Sequence, residues 1–127
     1  MSILIKETAC IDMPPDRVQH SMHYAFLDGK IIGRVSVRHM LNDMLRKRGG
    51  HMGYWVAKKY RRQGHATEML RQALEFCKSI KLSPIMITCG DENVPSWKII
   101  ERYNGKLEDR IWDEQDNEMI RRYWVEV

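Results

Sequence analysis

The residues best placed to do chemistry lie in one stretch from His51 to Ile80, HMGYWVAKKYRRQGHATEMLRQALEFCKSI. An apolar strand pattern runs there into a basic turn, Arg61, Arg62, Gln63, Gly64, His65, Ala66 and Thr67, and then into a helix that opens with small residues. This arrangement suits a phosphate. The first N–H groups of a helix have no partner within it, and its aligned peptide dipoles place partial positive charge at that end. Gly64 and Ala66 keep side chains clear of a ligand, while Lys58, Lys59, Arg61 and Arg62 supply a positive field. Two common phosphate loops are excluded by detail: Gly64 is followed by His65 rather than by Lys and a hydroxyl residue, and a dinucleotide fingerprint would need three spaced glycines.

The elements that position this turn can be read from periodicity. Ala66, Met69, Leu70, Ala73, Leu74, Cys77 and Ile80 recur at three- and four-residue steps, which predicts an amphipathic helix of about fifteen residues ending before Ser83 and Pro84. His51 to Ala57 reads as a strand, with His51, Gly53 and Trp55 on one face and Met52, Tyr54 and Val56 on the other. Upstream, 2–11 reads as a first strand closed by Met13, Pro14 and Pro15. His20 to Leu27 and Ile31 to Arg38 flank Asp28-Gly29, a tight hairpin signal. His39 to Gly50 reads as a helical turn stopped by Gly49 and Gly50. Downstream, Ile85 to Cys89 is a short buried strand, Asn93 to Gly105 a second helix, and Leu107 to Trp112 with Met119 to Val125 a closing hairpin.

The pattern Arg61-x-x-Gly64-x-Ala66, preceded by GGHMGYWV and followed by ITC and by Asn93-x-x-Ser96, resembles the GNAT-type acyl-CoA N-acetyltransferases, over roughly residue 20 to the end. The resemblance implies an α/β (α+β) domain: a mixed, mostly antiparallel twisted sheet with a central, splayed parallel strand pair and flanking helices. It implies acetyl-CoA as cosubstrate, its pyrophosphate on Arg61, Arg62, Gln63, Gly64, His65, Ala66 and Thr67, and its pantetheine arm beside Tyr54, Trp55, Val56, Asn93 and Ser96. The implied reaction is direct attack of a primary amine, of a small molecule or a peptide, on the thioester, with a backbone N–H near Val56 stabilising the oxyanion. His51, where many members carry a carboxylate, is the expected base, since an imidazole can accept a proton near neutral pH. Many members place a tyrosine acid seven residues after the helix-opening Asn. Ile100 stands there in this chain, and Tyr103, one turn later, is the expected substitute. Cys89 is expected to pack as a small hydrophobe rather than to carry an acetyl group.

The family usually has two helices between its first and second strands, but only about ten residues separate Ile11 from His20. The domain therefore reads as N-terminally abbreviated, and a homodimer is expected to cover the sheet that the missing layer would leave bare.

At 127 residues the chain is expected to form one domain, spanning 1–127. A net charge of +4, with seventeen acidic residues interleaved, fits an anionic ligand without requiring nucleic acid, for which no motif is present. Three cysteines without paired spacing point to a reducing compartment and to no metal site. With no apolar run near the ~18 residues that span a bilayer, and no leader pattern, a cytoplasmic protein with no membrane partner is expected. The competing reading is a coenzyme A-binding module that does not turn over.

Overall fold

The computed structural model describes residues Leu4–Glu7 and 20–127. The strands, in chain order, are β1 (Leu4–Glu7), β2 (His20–Leu27), β3 (Lys30–Arg38), β4 (Met52–Val56), β5 (Ile85–Gly90), β6 (Lys106–Asp113) and β7 (Glu118–Val125). Between them lie α1 (Asp43–Lys47), α2 (His65–Ser79), α3 (Val94–Arg102) and a 3-10 turn over Lys58–Tyr60. They build one seven-stranded sheet in the order β1-β2-β3-β4-β5-β7-β6. Every neighbouring pair is antiparallel except β4 and β5, which are parallel. The expected fold class is thus the observed one. The segment expected to be too short for two helices lies outside the described residues, as does most of the predicted first strand beyond Glu7.

Local rules explain most of these elements. Asp28 and Gly29 both take positive φ (51° and 79°), the backbone that a two-residue hairpin turn demands, and Leu27 pairs with Lys30 across it. α2 buries Met69, Leu70, Ala73, Leu74 and Cys77, the predicted stripe, against β3 and β4. Burial of each Leu or Met there stabilises the domain by about 1.5–3 kcal/mol. The predicted helix over His39 to Gly50 shrinks to the five residues of α1, because Asn42 caps it by accepting the Leu45 amide and Gly49 and Gly50 turn the chain at φ 103° and 59°.

The sheet has two unlike faces. Gly33 lies against Met69 of α2, and Val35 and Val37 share its side of β3, where they are fully buried. α3 joins the same layer through Ile100, which clusters with Ile85, Ile87 and Tyr123. The other side of β3 carries Arg34, Ser36 and Arg38, opposite Trp55 and Gly53 of β4 and Tyr24 and Met22 of β2. Among the described residues, no helix packs on that part of the sheet.

Candidate active site

β4 and β5 share a single parallel pairing, Met52 with Ile87, and part above it. Below that point they are clamped by His51. Its amide donates to the Met86 carbonyl at 2.7 Å, and its ring Nδ1 accepts the Met86 amide at 2.9 Å. Gly50 makes the clamp possible, because a Cβ there would collide with the Met86 carbonyl. Gly49 adds a bond from its amide to Thr88 Oγ1 at 2.8 Å.

Above Met52 the ladder leaves polar groups open. Arg38 N–H donates to the His51 carbonyl and Ala57 N–H to the Ile32 carbonyl, so the His51 carbonyl and the backbone groups of residues 53, 55 and 57 are directed toward β3. Tyr54 and Val56 therefore turn theirs toward β5, which no longer pairs with them. The Val56 carbonyl is taken by Arg61 Nε at 2.8 Å, whereas the Tyr54 groups and the Val56 N–H point into the gap. Buried backbone groups are seldom left unpaired without a ligand or water to meet them.

The gap belongs to a cleft of about 640 Å³, within the range typical of small-molecule sites. One end is the 61–67 turn. Gly64 sits in the left-handed region at φ 83° and caps α2 without any side-chain bond, and no acceptor among the described residues reaches the amides from Gln63 to Thr67. Among the described residues, Lys58, Lys59, Arg61 and Arg62 make no ion pair, and buried His65 lines the cleft with Nε2 unpartnered. Arg61, Arg62, Gly64, His65, Ala66 and Thr67 all line the cleft; the Gln63 side chain instead bonds the Lys59 carbonyl.

The middle of the cleft gathers Tyr54, Thr88, Cys89, Asn93 and Ser96. Asn93 precedes α3, and its carboxamide makes no capping bond. Tyr54 Oη and Ser96 Oγ lie 2.6 Å apart, joining residues separated by forty-two positions. Burial raises the Tyr54 pKa, more than the Ser96 bond lowers it, so the phenol stays protonated and can give a proton rather than take one. Burial likewise pushes the Cys89 thiol up to about 11, which leaves little thiolate near neutral pH. Arg48 lines the opposite mouth, with its charge already shared among Asp113, Asp116 and Glu118. Thr88, Cys89 and Arg48 were not marked as site residues by the sequence pattern; only the glycine pair ahead of His51 hinted at a close approach to β5.

The two expected catalytic side chains lie elsewhere. Neither His51 nor Tyr103 lines the cleft. With Nδ1 accepting the Met86 amide, the neutral His51 ring carries its proton on Nε2; burial, helped by the charge of Arg38, lowers its pKa. Tyr103 Oη donates to the Thr67 carbonyl at 3.0 Å and ties α3 to the first turn of α2.

Residues 6–106 match the family model of the acetyltransferase (GNAT) domain. The chain belongs to the GNAT acetyltransferase family. Among solved structures it is similar to a ribosomal-protein-S5-alanine acetyltransferase from Vibrio fischeri, at 18% identity over 84% of this chain and 61% of that one, with a TM-score of 0.71. It is also similar to the ribosomal L7/L12 alpha-N-protein acetyltransferase RimL in complex with coenzyme A, at 16% identity over 85% of this chain and 62% of that one, TM-score 0.67. A GNAT-family acetyltransferase from Streptococcus pneumoniae gives 15% identity over 85% of this chain and 67% of that one, TM-score 0.66. At such identities the likeness is one of fold, and this GNAT chain spans about two thirds of the length of each of these neighbours. No curated protein matches the sequence. Among the described residues, no group of three or more His, Cys, Asp or Glu could hold a metal ion, and no helix is long and apolar enough to cross a membrane.

Proposed function

We propose that this GNAT domain is an acetyl-CoA-dependent N-acetyltransferase that moves the acetyl group to a primary amine by direct attack. The observation that carries the reading is that two sets of backbone groups without a partner among the described residues, the Gln63–Thr67 amides and the Val56 N–H with the Tyr54 backbone, lie along one cleft. A diphosphate fits the first set and an extended amide-bearing arm fits the second. Family membership supports coenzyme A as the group that carries both, as in the RimL complex.

In this mechanism the thioester carbonyl lies in the gap above Met52, where Val56 N–H points and can hydrogen-bond the oxygen as it gains charge. The amine nitrogen bonds to the carbonyl carbon, the carbon–sulfur bond breaks, and Tyr54, held by Ser96, gives its proton to the departing thiolate. No carboxylate lines the cleft among the described residues, so the amine arrives neutral and loses its second proton to water at the open mouth. His51 and Tyr103 are assigned positioning work instead, closing the lower end of the gap and bracing the phosphate helix. A cytoplasmic location belongs to this reading, as acetyl-CoA and free thiols are found together there. The homodimer expected from the sequence belongs to this reading as well.

The test is thiol release from acetyl-CoA across a panel of amines. Tyr54→Phe should lower kcat about 10²-fold or more while coenzyme A affinity stays within about twofold. An unchanged kcat would remove Tyr54 from the mechanism. Coenzyme A binding without release in the presence of any amine would favour the idle binding module, whose supporting observation is the same cleft.

A further inference from the structure

On the side of β4 where no helix packs among the described residues lies a second, shallow recess of about 180 Å³, lined by Met22, Arg34, Ser36, Gly53, Tyr54 and Trp55. It shares Gly53, Tyr54 and Trp55 with the main cleft, so β4 is the common wall, and at Gly53 that wall has no side chain. Gly53 is the thinnest place in that wall: a Cβ there would stand 3.4 Å from Ser36 Oγ.

The charges around the recess are unbalanced. Arg34 makes no ion pair among the described residues; its guanidinium rests over the Trp55 ring at 5.9 Å from the centroid, which restrains it without neutralising it. Arg38, two residues beyond Ser36 on the same face, donates to the Gly49 and Gly50 carbonyls at 3.0 and 3.3 Å and also meets no carboxylate. Both of its terminal nitrogens lie 3.7 Å from where a Gly53 Cβ would stand, so its charge sits beside that place. Arg48 and Arg122, by contrast, are paired with carboxylates. Around the charge lie the apolar surfaces of Met22 and the half-exposed Trp55 indole (48%).

Resting on the transferase reading, we infer that this recess binds the acceptor by its carboxylate: the substrate is an amino acid, with Arg34 and Ser36 on the carboxylate, Met22 and Trp55 on the side chain, and the amine reaching over Gly53 to the thioester. Size agrees with this class. At about 30 Å³ per water, the recess holds the equivalent of roughly six waters, enough for a small amphiphile and not for a folded partner. Arg34 is a positioning and specificity residue, because a guanidinium meets a carboxylate through two parallel bonds and an uncharged amide cannot replace that.

The experiment compares L-leucine and L-methionine, each against its amide, with wild type and Arg34→Gln. The ratio of kcat/KM for acid over amide, taken between the two proteins, cancels the different basicities of the amines. It should fall at least tenfold in Arg34→Gln, mainly through KM, with partial recovery in Arg34→Lys and coenzyme A affinity unchanged. An unchanged ratio overturns the assignment. If coenzyme A binds but no amine is acetylated, the transferase reading fails, and calorimetric titration of the same acids and amides into the coenzyme A-loaded protein still decides this one. Binding of the acid that Arg34→Gln abolishes supports it; no binding of either acid overturns it. Sedimentation serves as a further check, because a dimer that dissociates in Arg34→Gln would mean that a second copy occupies the face.

Discussion

Within five residues, β4 behaves in opposite ways toward β5. At His51 and Met52 the seam is closed: a backbone bond, a ring nitrogen bond and the Met52–Ile87 pairing use the polar groups on both sides. From Gly53 to Val56 the same edge meets no strand, and the cleft occupies the gap. A sheet that is to receive an extended ligand must stop its own ladder at a defined place, or pairing would consume the groups the ligand needs. Here the ladder ends at the Met52–Ile87 pairing, and on its closed side the His51 ring takes the Met86 amide, so that end of the seam is held without an orphan.

The open end is the more sensitive to blocking. Gly64→Val should reduce coenzyme A affinity at least 100-fold, measured by calorimetry, since an L side chain disfavours φ 83° and a branched group would crowd the free amides. No protein atom lies within 4 Å of the added Cβ, so the stability cost should be limited to the backbone, about 1–2 kcal/mol in urea unfolding. Affinity retained in Gly64→Val would show that the phosphates bind elsewhere.

The closed end should respond in stability first. His51→Phe leaves the Met86 amide buried without an acceptor and should cost about 1–3 kcal/mol, with partial rescue by His51→Asn, whose oxygen can take the bond. The ring's pKa is lowered in the folded state, so the unfolded chain binds the proton more readily. Stability present above pH ~6.5 should therefore be lost as pH falls through the folded value, and either substitution should flatten that slope. If turnover of His51→Asn instead collapsed at unchanged stability, the ring would be a catalytic base after all.

The smallest effect is expected midway along the cleft. Asn93→Ala should weaken coenzyme A binding about fivefold, near 1 kcal/mol, without lowering the melting temperature, because its carboxamide caps nothing. A loss of stability with intact affinity would reverse that role.

These contrasts follow the boundary between local and long-range information. The Asp28-Gly29 hairpin, the α2 stripe and the open 61–67 turn were legible because each obeys rules acting within a few residues: positive φ, 3.6-residue periodicity, unpaired amides at a helix start. The chemistry was harder to read. His51 carries the right side chain at the right place in the strand, but its nitrogen is claimed by Met86, thirty-five residues away. Tyr103 has a suitable hydroxyl that Thr67 engages, while the pairing of Tyr54 with Ser96 depends on how α3 sits over β4.

The sequence by itself determined the family, the order of strands and helices and the turn that would hold a diphosphate, since these depend on neighbours along the chain. Only the tertiary structure decided where β4 and β5 part, that the Tyr54 and Ser96 hydroxyls meet and that Arg34 and Arg38 find no carboxylate among the described residues. Each of these is a matter of which groups find partners across the sheet, and hydrogen-bond and charge pairing between distant segments leaves no period or spacing in the chain.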